Sequence, residues 1–130
     1  MIIADTQSAI WLTSDQSQLS PRAEAALRNA LRVGEGIAIS DISLWEVAMI
    51  SPLPSFNLTR PLDEYLRYLA GTFIVLPITP AIALRSVAFS PSYPKDPADR
   101  IVGATALEHG LTLVSSDRKI RKSGEVPCIW

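Results

Sequence analysis

The sequence predicts an α/β protein, a three-layer α/β/α sandwich around a central, mainly parallel sheet. Three observations carry this. Short apolar runs alternate with longer helical patterns; three helix starts are marked by a capping side chain followed by proline; and 130 residues is the length of one domain with its own core. The working organisation is a single domain over residues 1–130.

Taken in order, residues 2–4, 37–39, 73–76, 111–114 and 128–130 are apolar runs too short for helices, and they read as buried strands. The segments between them have amphipathic or wholly apolar helical spacing. Strands that alternate with helices make βαβ units and a parallel sheet covered on both faces. Ser20-Pro21, Thr79-Pro80 and Asp96-Pro97 each place a capping side chain before a proline at the first helical position. Gly110 follows the helix that ends at His109 and leads into LTLV, which suits a glycine C-cap and a tight turn into a strand. SPLPSFNLTRP and FSPSYPKDP read as loops inside the domain, near its working edge.

Composition limits the function classes. The hydrophobic fraction is 48% and the mean hydropathy +0.21, an apolar excess that implies an oligomer or a bound protein partner. The single cysteine, Cys128, has no second thiol to pair with and no histidine nearby for a zinc site, so cytoplasm is the expected compartment. The first residues lack a basic region and carry Asp5 inside an apolar stretch, unlike a signal peptide, and no apolar run is long enough to span a bilayer. The net charge of −1 gives no overall attraction to nucleic acid, so any such binding is local. Arg118, Lys119, Arg121 and Lys122 follow Asp117 directly; read alone, they are the solvated face of a last helix.

The chemistry lies in the acids. Parallel sheets bind ligands outside the carboxyl ends of their strands. Asp5 directly follows the first strand and Asp117 comes just after LTLVS, so both point to that edge. Glu46 sits in the apolar helix LWEVAMI, where a lone buried carboxylate is costly unless protonated, paired or metal-bound. An equally weighted reading makes Ser43-Leu44-Trp45-Glu46 a capping box. Asp96 suits an N-cap role, and Asp99, in the first turn of the same helix, can aim at the strand ends.

If Asp5, Glu46, Asp99 and Asp117 converge, each close pair costs about 4 kcal/mol at a separation of about 4 Å and an effective dielectric near 20. A positive group must offset that. Oxygen-only ligands suit Mg²⁺ or Mn²⁺, and such an ion suits phosphodiester hydrolysis. Other chemistries fit less well. Neither GxGxxG nor GxxxxGK[ST] occurs, and the only histidine, His109, is at a helix end and leaves a serine or cysteine nucleophile without a base. A receiver-like signalling module needs paired acids after the first strand and an aspartate after the third. A haloacid-dehalogenase-like phosphatase needs a second aspartate two residues after Asp5, where Gln7 stands.

The segments IADTQSAIWL, ISDISLWEVAM, KDPADRIVGATALEHG and LTLVSSDRKI, in that order and spacing, resemble the PIN domain, specifically the VapC-type toxins of bacterial toxin-antitoxin pairs. The resemblance covers nearly the whole chain. It implies Mg²⁺- or Mn²⁺-dependent endoribonuclease activity, a cognate VapB-like antitoxin as partner and, with the apolar excess, a homodimer. Residue by residue, Asp5, Glu46, Asp99 and Asp117 match the four family acids. Asp5, Asp99 and Asp117 are the implied metal ligands, and Glu46 the residue that positions or deprotonates water. Thr6 and Ser115 match supporting hydroxyl positions, Asp96 is frequent in this subgroup, and Arg100, Arg118 and Lys119 are the expected phosphate contacts. The chain departs from many relatives at Gln7, where histidine is common, which bears on substrate contacts and leaves the acids intact. A PIN-like domain that binds RNA without cutting it remains the alternative within the family.

Overall fold

The computed structural model describes residues 1–53, 56 and 58–130. The elements follow in chain order as β1 (Ile2–Ala4), α1 (Thr6–Thr13), a 3-10 turn (Gln16–Gln18), α2 (Pro21–Arg32), β2 (Ile37–Ser40), α3 (Asp41–Ile50) and α4 (Leu62–Thr72). They continue with β3 (Ile74–Leu76), α5 (Pro80–Ser86), α6 (Pro97–His109), β4 (Thr112–Val114), α7 (Arg118–Ser123) and β5 (Cys128–Ile129). All strand pairs are parallel and the sheet order is β3-β2-β1-β4-β5. A receiver-type sheet has the order 2-1-3-4-5, so the topology removes that alternative.

The expected helix starts are present. Ser20, Thr79 and Asp96 accept hydrogen bonds from the amides of Ala23, Ile82 and Asp99. Gly110 closes α6 at φ +64°, a left-handed conformation that only glycine adopts at little cost. Other starts are capped without a proline at the first helical position. Asp5 caps α1, accepting from the Ser8 amide at 2.8 Å, and Ser40 caps α3, accepting from Ile42. The expected capping box is therefore not formed. Because the helix begins at Asp41, Ser43 lies inside its first turn and Glu46 is free of that local bond. The loop SPLPSFNLTRP includes Pro54, Ser55 and Asn57, which lie outside the described residues.

Period-two alternation in the strands divides the core between the two faces of the sheet. Ala4, Ile37, Ile39 and Val114 pack with Ile10, Leu27, Val47 and Leu69 on the side of α1, α2 and α4. Ile3, Ala38 and Leu113 pack with Val102, Ala106, Ile120 and Tyr93 on the side of α6 and α7. Helix α3 contributes Val47 to the first layer and brings Ile42 against the second, so it crosses the carboxyl edge of the sheet. That crossing sets Glu46 over the strand ends. Among the described residues, no helix is long and apolar enough to cross a membrane.

The loop between α5 and α6 is fixed at several points. Glu125 accepts from the Ser90 amide and hydroxyl, Arg100 Nε donates to the Pro94 carbonyl at 2.9 Å, and the Tyr93 hydroxyl donates to the Asp99 carbonyl at 3.0 Å. Tyr93 stacks on Phe89 with ring centroids 3.9 Å apart, and both rings lie against Gly103. A methyl group at Gly103 would collide with the Tyr93 hydroxyl and stand 3.1 Å from the Phe89 ring. Overpacking of a filled core costs about 1–3 kcal/mol. Gly103→Ala is accordingly expected to lower unfolding free energy by that order in a urea titration. An unchanged midpoint would mean that the loop yields freely.

Candidate active site

The sheet order reverses direction between β1 and β4: from β1 the chain builds toward β2 and β3, and from β4 toward β5. Connections leave these two neighbours on opposite sides, which opens a cleft at their carboxyl ends. The Asp5 amide donates to the Val114 carbonyl at 3.1 Å, so Asp5 is the first residue past this seam. On the other strand, Ser115 is fully buried and accepts from the Asp117 amide at 3.2 Å, turning the chain past β4 at the same edge, where the Asp117 charge reaches Asp5.

A cavity of about 170 Å³ at this edge is lined by Asp5, Thr6, Gln7, Glu46, Ile50, Asp99 and Val102. Three separate parts of the chain thus bring Asp5, Glu46 and Asp99 to one pocket. Asp117 is not among its lining residues, but its charge acts on both Asp5 and Asp99. Two of the acids also hold their own helices. Asp5 caps α1 through Oδ1, and Asp117 caps α7 through Oδ1, accepting from the amides of Lys119 at 2.8 Å and Ile120 at 3.2 Å. Capping locks the rotamer of each and occupies one oxygen.

The electrostatics record the crowding. Burial pushes the Asp5 carboxyl up from its ordinary value, and the Asp117 charge adds to this, while hydrogen bonds from Ser115 and Ser8 oppose it. Glu46 is raised by burial first, with Thr6 opposing and Asp96 and Asp5 adding. Asp99 is pushed up from 3.8 to about 7 by burial and then by Asp96, Glu46, Asp117 and Asp5. None of the ion pairs among the described residues involves any of these acids. The pocket therefore holds negative charge with no protein cation paired to it.

Such a donor set, carboxylate oxygens with no nitrogen or sulfur, fits a hard divalent cation. Among the described residues, no three acids stand close enough to ligate one ion as they are. An ion that retains several of its waters tolerates that spacing better than one that demands a full protein cage.

The supporting residues divide. Thr6 is buried and its hydroxyl bonds the Glu46 carboxylate. Asp96 is exposed and spends Oδ1 capping α6, yet its charge reaches both Asp99 and Glu46. Arg118 and Lys119 are exposed at the start of α7, next to Asp117. Arg100 differs from expectation. Its guanidinium is turned to the Pro94 carbonyl and, at 3.5 Å, to that of Ser86, so it braces the loop before α6. Two serines went unnoticed as site residues. Ser8 lies three residues after Asp5, the spacing of an N-cap and the amide it accepts from, and that signal was available. Ser43 was masked by the false capping-box match.

A family model for the PIN domain matches residues 2–126. The chain belongs to the PIN domain family. Within it, the chain is 35% identical over 120 residues to Ribonuclease VapC22 of Mycobacterium tuberculosis, a match covering 92% of this chain and 89% of that protein. A toxin-antitoxin complex from Klebsiella pneumoniae contains a chain of 26% identity that superposes with a TM-score of 0.67, covering 100% of this chain and 97% of the other. VapBC2 from Rickettsia felis, bound to a DNA fragment from its promoter, superposes with a TM-score of 0.71 at 14% identity over 99% of this chain and 98% of the other, a likeness of fold. The acidic cleft at the carboxyl ends of β1 and β4 therefore lies in a PIN domain.

The raised carboxyls have a consequence for stability. A folded-state acid with a raised pKa keeps its proton over a range where the unfolded chain has lost it. It therefore favours folding at low pH and opposes folding progressively as pH rises. For Asp99 that range runs from 3.8 to about 7. In chelator-treated protein, the thermal midpoint should fall as pH is raised through this range. Asp99→Asn should flatten the fall and raise the midpoint at neutral pH. A variant that is less stable than wild type at neutral pH would contradict the assigned repulsion.

Proposed function

We propose that this PIN domain is a divalent-metal-dependent endoribonuclease and the toxin of a toxin-antitoxin pair. The observation that carries the reading is the meeting of Asp5, Glu46 and Asp99 in one pocket, with no cation paired to them among the described residues. It is supported by the likeness to a chain named a ribonuclease and to chains solved in toxin-antitoxin complexes.

Asp5, Asp99 and Asp117 would hold Mg²⁺ or Mn²⁺. When bound, such an ion lowers the pKa of water and stabilises charge on phosphoryl oxygens. Glu46, half-buried and held by Thr6, accepts a proton from the attacking water, and burial raises its affinity for that proton. Asp5 and Asp117, locked as helix caps, keep their places without reorganisation. Ser115 orients Asp117 through its amide and favours the charged form of Asp5. Arg118 and Lys119 contact phosphates of the RNA on either side of the cut. Arg100 would serve only indirectly, by fixing the loop that leads to Asp96.

The antitoxin and a second copy of the chain are the proposed protein partners. Trp45 and Met49 on α3 are 54% and 58% exposed, and Leu84 on α5 and Val87 just after it are 73% and 77% exposed, so apolar surface remains for them to cover. The compartment proposed is the cytoplasm.

On total cellular RNA, the wild type should cleave with Mg²⁺ or Mn²⁺ and stop with EDTA, and Asp5→Asn should lose at least about 100-fold in rate while keeping its fold. Retained cleavage in Asp5→Asn would remove the assignment. RNA binding without cleavage in the wild type would leave a non-cleaving domain. Arg118→Ala combined with Lys119→Ala should raise KM with little change in kcat and weaken the salt dependence of binding. An unchanged KM would place the RNA backbone elsewhere.

A further inference from the structure

Ser43 is 2% exposed and its hydroxyl lies 2.8 Å from that of Thr6, which in turn bonds the Glu46 carboxylate. A threonine hydroxyl has one proton to give and two lone pairs to receive with. An ionised carboxylate only accepts, so the Thr6 proton goes to Glu46. Thr6 Oγ1 stands in donor geometry toward both Ser43 Oγ and Glu46, and its one proton can serve only one of them; committed to Glu46, it leaves the Thr6 oxygen to accept from Ser43. Ser43 makes no other side-chain hydrogen bond among the described residues, and a buried hydroxyl proton left unpaired is costly.

We propose that Ser43 is a positioning residue for the reaction: the buried chain from Ser43 to Thr6 to Glu46 aims the glutamate at the substrate water. The proposal rests on the nuclease reading and extends it to a residue outside the acidic set.

The geometry gives Ser43 a specific task. Glu46 and Ser43 lie on one helix three residues apart, and Thr6 reaches them from α1, across the boundary between two elements. A glutamate has three side-chain torsions and, half-exposed in a polar cleft, many rotamers. One hydrogen bond from Thr6 picks among them, and it does so only while the Thr6 hydroxyl is itself oriented. Ser43 supplies that orientation by donating to one Thr6 lone pair, which turns the Thr6 proton away from Ser43 and toward Glu46. Two linked hydrogen bonds also polarise one another, which strengthens the outer one. Ser43 touches neither substrate nor ion; it acts through Thr6.

The test compares wild type, Ser43→Ala, Ser43→Thr, Glu46→Gln and the double variant Ser43→Ala with Glu46→Gln, using single-turnover and steady-state RNA cleavage with Mg²⁺. Misplacing a catalytic group by about 1 Å costs on the order of 100-fold. Ser43→Ala should therefore lower kcat by about 10- to 100-fold with KM changed less than about 2-fold, and Ser43→Thr should recover most of the loss. In the Glu46→Gln background, the same alanine change should cost nothing further, because its route is already cut. An undiminished additional loss there, or an unchanged kcat in Ser43→Ala alone, would overturn the proposal even if Ser43→Thr proves too bulky to fold.

An independent readout needs no activity. The Thr6 hydroxyl proton, buried and bonded to a carboxylate, should give a slowly exchanging NMR resonance in wild type that is shifted or lost in Ser43→Ala. If the wild type cuts no RNA, the nuclease reading fails and this resonance decides the relay alone. A Thr6 signal indifferent to Ser43 would then sink it.

Discussion

Negative charge gathered at the carboxyl ends of two neighbouring parallel strands is the constraint on which the rest of this molecule depends. The β1–β4 pairing brings Asp5 and Asp117 to the same edge of the sheet, and the helices that follow bring Glu46 and Asp99 into one pocket with Asp5. Repulsion among these groups opposes folding, and the fold tolerates it because apolar layers on both faces of the sheet hold the strand ends in place. Fully buried Ile3, Ala4, Ile39, Leu113 and Val114 lie within a few residues of the acids or directly beneath them. The hydrophobic core thus fixes the position of groups that would separate if free.

Rigidity at the site comes from economy of function. Asp5 directly follows β1, Asp117 lies three residues past β4, and each begins a helix, so a side chain of the acidic set is also a structural cap. Asp96 caps α6 and loads charge onto Asp99. The price of that arrangement is that a substitution at either caps-and-site residue touches local stability and pocket electrostatics together. Asn, which retains the N-cap acceptor, separates the two effects better than Ala. Hydroxyls do the remaining work. Ser8, Thr6, Ser43 and Ser115 are all buried, and each is bonded to a carboxylate, to its amide or to another hydroxyl of the group.

Much of this was legible before any coordinates. The proline-marked helix starts at Ser20, Thr79 and Asp96 stand where they were read, because a cap and a first-turn proline act within four residues of chain. Strand positions were recovered with ends shifted by a residue, as at Ile74, since pairing with β2 decides where a strand stops. Glu46 was ambiguous for a clear reason: the capping-box pattern is short enough to occur inside a helix, and only the cap at Ser40 displaces it. Arg100 shows a related limit: the sequence sets a cation beside an acid but does not say that its guanidinium also meets the Pro94 and Ser86 carbonyls.

What the sequence determined alone was the alternation of strand and helix, the caps, and an acid placed after each of two strands, all properties set by neighbours along the chain. The tertiary structure decided the strand order, and with it the location of the cleft between β1 and β4. It also decided that Thr6, Ser43 and Glu46 share a hydrogen-bonded line and that Arg100 faces inward. The strand order and the Thr6 line depend on contacts between residues tens of positions apart, and the Arg100 contacts on the path of a loop, all fixed by how the layers pack and not by any local preference of the chain.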